Sequence, residues 1–428
     1  MRWLPIAIVL ASACGGASRD RAWVSARLVE RVGAPIATET STEVPDVDVT
    51  DGIDEHEAVA LALWNNPTYR GELARLDAAR ANVEEAGRPP SPQLSAAGPI
   101  GPIAGALALL MPLEWLWQLP QRLETASRDL ESVAEELVQR GLDLARDARL
   151  AHADCVLAEG RVEARRQLAD VASRLLRIAT IRAAAGDISV AEAAAVEGEA
   201  AMAADAVRVA EADAISAQAR LQIAIGDDAS PQVSAESSAP GRPPALGTLI
   251  ASARESRPEA RAAELALAAA AARAGWERAR VISLAATVDA QWRGNDVGAR
   301  VGGRIELPSW GKPGGVGRAD AGVEAARARV DATRLRIATE IADAHARLVQ
   351  AIDSLEAYRA TILPALDRAL AGATQSFELG EEGMLLVLDA LSRSTTARLR
   401  EIELIAQARR ASADLDRAVG GHFTEATP

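Results

Sequence analysis

The residues of this 428-residue chain best suited to bind a metal or attack a substrate are four histidines and two cysteines, and they are scattered: His56, His152, His345, His422, Cys14 and Cys155. Only His152 and Cys155 stand close together, three residues apart. One such pair supplies neither a zinc-ligand set nor a nucleophile with its base and orienting partner. Cys155 also falls on the apolar stripe of a long helical pattern, where a cysteine is normally buried and inert. The glycines of Gly311-Lys312-Pro313-Gly314-Gly315 lack the Gly-Lys-Ser/Thr spacing that cradles phosphate, and suit a bend between strand and helix instead. No catalytic residue, metal site or cofactor is expected, and the pattern speaks against an enzyme.

Cys14 invites a different chemistry. Arg2 supplies a positive start, Trp3 to Leu10 an apolar stretch too short to span a bilayer, and Ala11-Ser12-Ala13 a small-residue cleavage site. A cysteine directly after such a run resembles a lipoprotein box, with its leucine displaced to Leu10. Residues 1–13 are therefore expected to be a signal peptide, with Cys14 lipidated at the mature terminus. Cys155 would then be the sole free thiol, and no intrachain disulfide could form.

A net charge of −13 disfavours nucleic acid as a partner. Lys312 is the only lysine, so basic charge is almost all arginine. Aromatics make up 3% of the chain, too few for a large conventional core. Helices joined along Ala, Leu and Val seams fit better.

Periodicity divides the chain into an extended N-terminal arm over 14–50, a first repeat over 51–226, a linker over 227–246, a second repeat over 247–421 and a tail over 422–428. Each repeat opens with a helix broken at a proline, Asn66-Pro67 or Arg257-Pro258. A hairpin region follows, then a long helix pair turned at a glycine: Gly186-Asp187-Ile188-Ser189, and later Gly380-Glu381-Glu382-Gly383. Leu130, Val133, Leu137, Leu144, Ala148, Ala151, Cys155, Ala158 and Val162 recur at mostly three- and four-residue steps, a coiled-coil seam that predicts a helix over about 121–185. The matching helix over about 316–377 is interrupted by Pro364. Rods this long need partners to cover their seams.

The hairpins, at about 93–119 and 281–308, separate this chain from a generic coiled coil. Over 281–292, Ile282, Leu284, Ala286, Val288, Ala290 and Trp292 share one face, with Thr287, Asp289 and Gln291 on the other. Arg293-Gly294-Asn295-Asp296 supplies the turn. The return strand puts Val297, Ala299, Val301, Ile305 and Leu307 with the apolar set, and Arg300, Arg304 and Glu306 opposite. Strands of about eleven residues have the length of a tilted transmembrane strand. In the first region Leu107, Leu109, Met111, Leu113, Trp115 and Trp117 alternate after Gly98-Pro99-Ile100-Gly101-Pro102. Trp115, Trp117, Trp292 and Trp310 are placed for an interfacial belt.

Together these residues resemble the TolC family of outer-membrane efflux proteins over most of the chain. The most specific pieces are Ala60-Leu61-Ala62-Leu63-Trp64-Asn65-Asn66-Pro67, and Phe377-Glu378-Leu379-Gly380 leading into Leu386-Val387-Leu388-Asp389-Ala390. The resemblance implies a mainly α protein with a small β part. Coiled-coil helices form an α-barrel tunnel, and each chain of a homotrimer gives four strands to one closed transmembrane β-barrel. It implies export of small molecules or metal ions, with a periplasmic adaptor, an inner-membrane pump and outer-membrane lipid as partners. The stretch from Ile305 to Gly315 looks most like members serving heavy-metal or drug pumps of the resistance–nodulation–division class. Asp389 matches an aspartate that constricts the periplasmic entrance in the family, with Glu381 and Glu382 next in line. A second ring three residues earlier is ruled out because Leu386 stands there. The turns at Gly186, Asp187 and Ser189 and at Gly380 and Gly383 are where adaptor contact is expected. The alternative reading is a periplasmic coiled-coil adaptor or scaffold, which usually carries one helical hairpin flanked by all-β modules.

Overall fold

A computed structural model describes residues 19–38, 47, 52–99, 105–227, 232–234, 239–279, 283–293, 296–306, 314–379 and 383–423. Two helix pairs are broken at the expected prolines. Helix α2 (Glu55–Asn65) starts on a reciprocal cap between Asp54 and Glu57, and α3 (Pro67–Gly87) starts on Asn66. The Asn66 side-chain oxygen accepts from the backbone N–H of Thr68 and Tyr69, satisfying donors that a helix start leaves free. Strands β1 (Gln93–Ala97) and β2 (Gly105–Pro112) follow, then α4 (Trp115–Ala185) and α5 (Val190–Ile225). After the linker the order runs α6 (Leu246–Ser256), α7 (Pro258–Ala279), β3 (Ser283–Arg293), β4 (Asp296–Glu306), α8 (Gly314–Ala357), α9 (Leu363–Glu378) and α10 (Met384–Val419).

The helices stack into rods. Helix α5 ends at Gly226 in the left-handed conformation, φ +70°, hard against the start of α3. A Cβ on Gly226 would lie 2.8 Å from the Asn66 Cα, so only glycine fits that junction. Helix α10 ends in the same way at Gly420, φ +94°, beside Arg257 and Pro258 at the start of α7. The α5/α3 and α10/α7 stacks lie alongside α4, whose 71 residues make a rod on the order of 100 Å long.

Buried arginine fixes the second junction. The Arg257 side chain is fully enclosed: Nη1 donates to the Ala418 carbonyl, while Nη2 donates to Glu340 at 2.6 Å and Glu259 at 3.0 Å. Burial pulls its pKa down while Glu340 pulls it up. Arg417 shares Glu340 and reaches Asp143 of α4 at 2.8 Å. One guanidinium thus ties the ends of α10 and α7 to α8.

Four expectations need correcting. The arm over 14–50 is not simply extended, because α1 (Arg21–Val32) lies within it. Val24, Leu28 and Val32, spaced by four, bury against Leu137, Val138 and Leu142 of α4, and Asp20 and Gly33 cap the ends. The first hairpin stops at Pro112 rather than 119, because after Leu113 makes one more bond to Leu284 the chain turns at Glu114 into α4. Trp115 and Trp117 therefore lie in the first turn of α4, which starts six residues before the expected Gln121 and contains Pro120. The second rod breaks, as expected, at Pro364, through a π-turn over Tyr358–Ile362 just before it. The tail is not loose at its start: His422 donates its N–H to the Arg31 carbonyl, and Phe423 its N–H to Asp416.

The glycine turn after α4 is as expected, with Gly186 left-handed at φ +82° and Ser189 in a reciprocal cap with Glu192. Near this turn Leu175, Ala179 and Val196 pack with Phe377, Met384, Val387 and Leu391, so the two helix pairs meet at their tips. None of the described helices is long and apolar enough to cross a membrane.

Candidate channel surfaces

Four strands form one antiparallel sheet in the order β1-β2-β3-β4, and its register sorts the side chains cleanly. Leu94, Leu109, Val288 and Val301 form one cross-strand row, and Ala96, Leu107, Ala290 and Ala299 the next. Met111 with Ala286, and Leu284 with Ile305, extend the same face. Ser95, Ala108, Asp289 and Arg300 form a row on the other face, where Thr287, Gln291 and Arg304 also lie. The apolar face is uncovered: Val301 is 83% exposed, Val297 74% and Leu94 70%. An apolar sheet face of this extent has to be covered by something other than water. Leu284 and Val288 with Val301 and Ile305 share the expected face, whereas Ile282, Leu307 and Trp310 lie outside the described residues. Trp292 lies over Gly105, where any Cβ would clash with its ring.

The sheet is anchored to the rods. The Leu113 N–H donates to the Leu284 carbonyl at 2.7 Å, and the Leu284 N–H to the Glu114 carboxylate at 3.2 Å. Helix α4 therefore leaves the sheet at a fixed angle, held by both strands of the β2–β3 pair.

Below the sheet, α4 presents a charged stripe through Asp129, Glu136, Arg140, Asp143 and Asp147, roughly opposite the seam that packs on α1. Asp129, Glu136, Arg140 and Asp143 of this stripe line a groove of about 1050 Å³ shared with α7 and α8. Ion pairs cross from α4 to the α7/α10 stack: Asp129 to Arg273 at 2.8 Å, Asp143 to Arg417 at 2.8 Å, Arg146 to Asp414 at 2.5 Å, Arg161 to Glu403 at 2.6 Å, and Asp154 to Arg410. Partly exposed pairs of this kind contribute little stability. Their effect is a wet wall on which both signs of charge are compensated. The ladder went unseen in the sequence, because its partners are far apart in the chain.

The residues singled out for chemistry do not converge. His152 is buried, its Nε2–H donating to the Ile53 carbonyl, and burial lowers its pKa. Cys155 is buried among Ile53, Leu61 and Leu221, and desolvation pushes its thiol up to about 12. Among the described residues, no three His, Cys, Asp or Glu side chains gather where a metal could be held. His345 Nε2–H donates to the Pro244 carbonyl at 3.1 Å, and His56 stands against Gly33.

At the tips, Gly186, Asp187 and Ser189 form the exposed first turn, and Gly383 caps α10. Gly380, Glu381, Glu382 and Cys14 lie outside the described residues. Asp389 is exposed on α10, and its carboxylate forms an ion pair with Arg393, Nε to oxygen 2.9 Å, one helical turn on. The i, i+4 spacing of the two was the available signal for this pair.

Comparison with known proteins agrees with this geometry. Residues 249–421 match the family model described as outer membrane efflux protein. The cobalt-zinc-cadmium resistance protein CzcC of Cupriavidus metallidurans is 26% identical over 377 residues, covering 85% of this chain and 89% of that one. A membrane protein crystal structure from Pseudomonas aeruginosa superimposes with a TM-score of 0.73 at 23% identity, covering 90% of this chain and 99% of the other. The CmeC outer membrane channel of Campylobacter jejuni gives 0.76 at 16% identity, covering 92% of each. At those identities the two structures speak for the fold, and the sequence matches speak for descent. Over residues 249–421 the chain thus matches the outer membrane efflux protein family, and over most of its length it shares the fold of outer-membrane channels.

Proposed function

We propose that this chain is the outer-membrane duct of a tripartite efflux system, a passive pore through which small molecules or metal ions leave the cell. The observation that carries this reading is the four-stranded sheet at one end of the rods. It has one uncovered apolar face, and its outer strands β1 and β4 have no further strand partner among the described residues. Lipid tolerates no open strand edge, so an apolar sheet of this kind must close with sheets from other copies. Three copies would give a twelve-stranded barrel, four strands from each, with Asp289, Arg300 and Arg304 toward water inside. The charged stripe of α4 then continues the water-facing surface downward as a tunnel wall. Energy comes from an inner-membrane pump, joined through a periplasmic adaptor at the Gly186–Ser189 and Gly380–Gly383 turns. The metal-resistance relative makes divalent cations one candidate cargo.

Membrane fractionation tests this. The protein is expected in the outer-membrane fraction as a trimer that migrates as one band on gels until it is boiled. A monomer in the soluble periplasmic fraction would instead support the adaptor reading. The same preparation tests lipidation. Cys14 is expected to carry acyl chains at the mature terminus, and Cys14→Ser should still yield trimer because the barrel itself anchors the chain. An unmodified terminus downstream of Cys14 in the mass spectrum would refute the lipid.

A further inference from the structure

We propose that Arg393 is the counter-ion of Asp389 and sets the charge selectivity of the periplasmic entrance, so that the ring there is compensated rather than acidic. This rests on the reading of Asp389 as an entrance residue. The start of α10 has two sides. Met384, Val387, Ala390 and Leu391 bury against α9 and the neighbouring tip, whereas Leu385, Leu386, Asp389, Ser392, Arg393 and Thr396 form an exposed stripe. In a ring of copies, that stripe is the part of the tip left to face the opening. Asp389 and Arg393 both lie on it, four residues apart with the acid N-terminal, the order that favours pairing on a helix. Arg393 also borders a groove of about 310 Å³ with Tyr358, Ile362 and Leu366, so its stem has an apolar bed beside the π-turn.

Ion selection at a ring of side chains follows the net charge an ion meets there. Three carboxylates alone would attract cations. Three carboxylates, each holding a guanidinium at 2.9 Å, sum to no net charge and present short dipoles whose field decays faster than that of free charges. The compensated ring makes a prediction of opposite sign for its two members. Removing the acid leaves uncompensated arginines and should favour anions. Removing the arginine leaves the acids and should favour cations.

Purified trimer in planar bilayers under a salt gradient gives the test, with reversal potential and block by hexaamminecobalt as the two readouts. Both residues are exposed, so Asp389→Asn, Arg393→Gln and the double variant should all assemble, which the unboiled gel band checks. Arg393→Gln is expected to raise the cation-to-anion permeability ratio roughly threefold or more and to strengthen block. Asp389→Asn should lower the ratio by a similar factor and weaken block, and the double variant should return to wild-type values. Loss of cation preference in Asp389→Asn with no change in Arg393→Gln would overturn the role of Arg393 while leaving Asp389 at the entrance. Identical recordings from all four proteins would overturn both, and a double variant unlike wild type would overturn the compensation.

Discussion

Arginine in place of Val301 is expected to lower barrel stability by about 2–4 kcal/mol, whereas arginine in place of Thr287 should cost much less. Val301 pairs with Val288 near the middle of the β3–β4 ladder, on the uncovered apolar face. A guanidinium there would have to enter hydrocarbon or drag water and headgroups toward it. Thr287 is next to Val288 in the chain and points to the opposite face, across from Gly302, where the partner strand carries no side chain. Its arginine would extend into the aqueous interior beside Asp289. The denaturant concentration at which the unboiled trimer band disappears reads the difference. Equal tolerance at the two positions would show that these strands do not lie in a membrane.

Arg257→Ala is expected to destabilise the chain by about 3–5 kcal/mol, because it removes one member of a buried ionic cluster and strands the others. Glu340 would keep Arg417 but lose its contact at 2.6 Å, and the Ala418 carbonyl would lose its donor at the end of α10. The cost comes chiefly from what is left behind. A paired substitution, Arg257→Met with Glu340→Gln, should therefore recover much of the loss by removing charge from both sides. Thermal unfolding followed by circular dichroism would show this as a large drop in Tm for the single variant and a smaller one for the pair. A single variant melting with wild type would mean that the α10/α7 junction is held by packing alone.

The sheet was the most legible part of the chain. Strict alternation over Leu284 to Trp292 and over Val297 to Ile305 assigns every side chain to a face, because a strand has a period of two. The two proline-broken helix pairs and the glycine turn at Gly186 were equally readable, each resting on a local backbone rule. Helix α1 was missed although Val24, Leu28 and Val32 recur at four-residue steps between Asp20 and Gly33, because Pro35, Pro45 and the polar residues beyond it set the reading of the whole stretch. The start of α4 was misplaced because Leu113, Trp115 and Trp117 continue the strand alternation by chance, past the point where the chain turns into the helix. The α4–α10 ion-pair ladder and the Arg257 cluster join residues up to 274 apart in sequence, so no local pattern announces them. Arg393 is different. Its spacing from Asp389 was visible, but family likeness drew attention to the acid alone.

Electron cryomicroscopy of the detergent-extracted particle tests the central claim most directly. Three chains around one axis are expected, their sheets closed into a single twelve-stranded barrel with Leu94, Val288 and Val301 facing detergent and Arg300 and Arg304 facing the lumen. A water-soluble particle whose sheets stay separate, or a barrel with the apolar row turned inward, would contradict it.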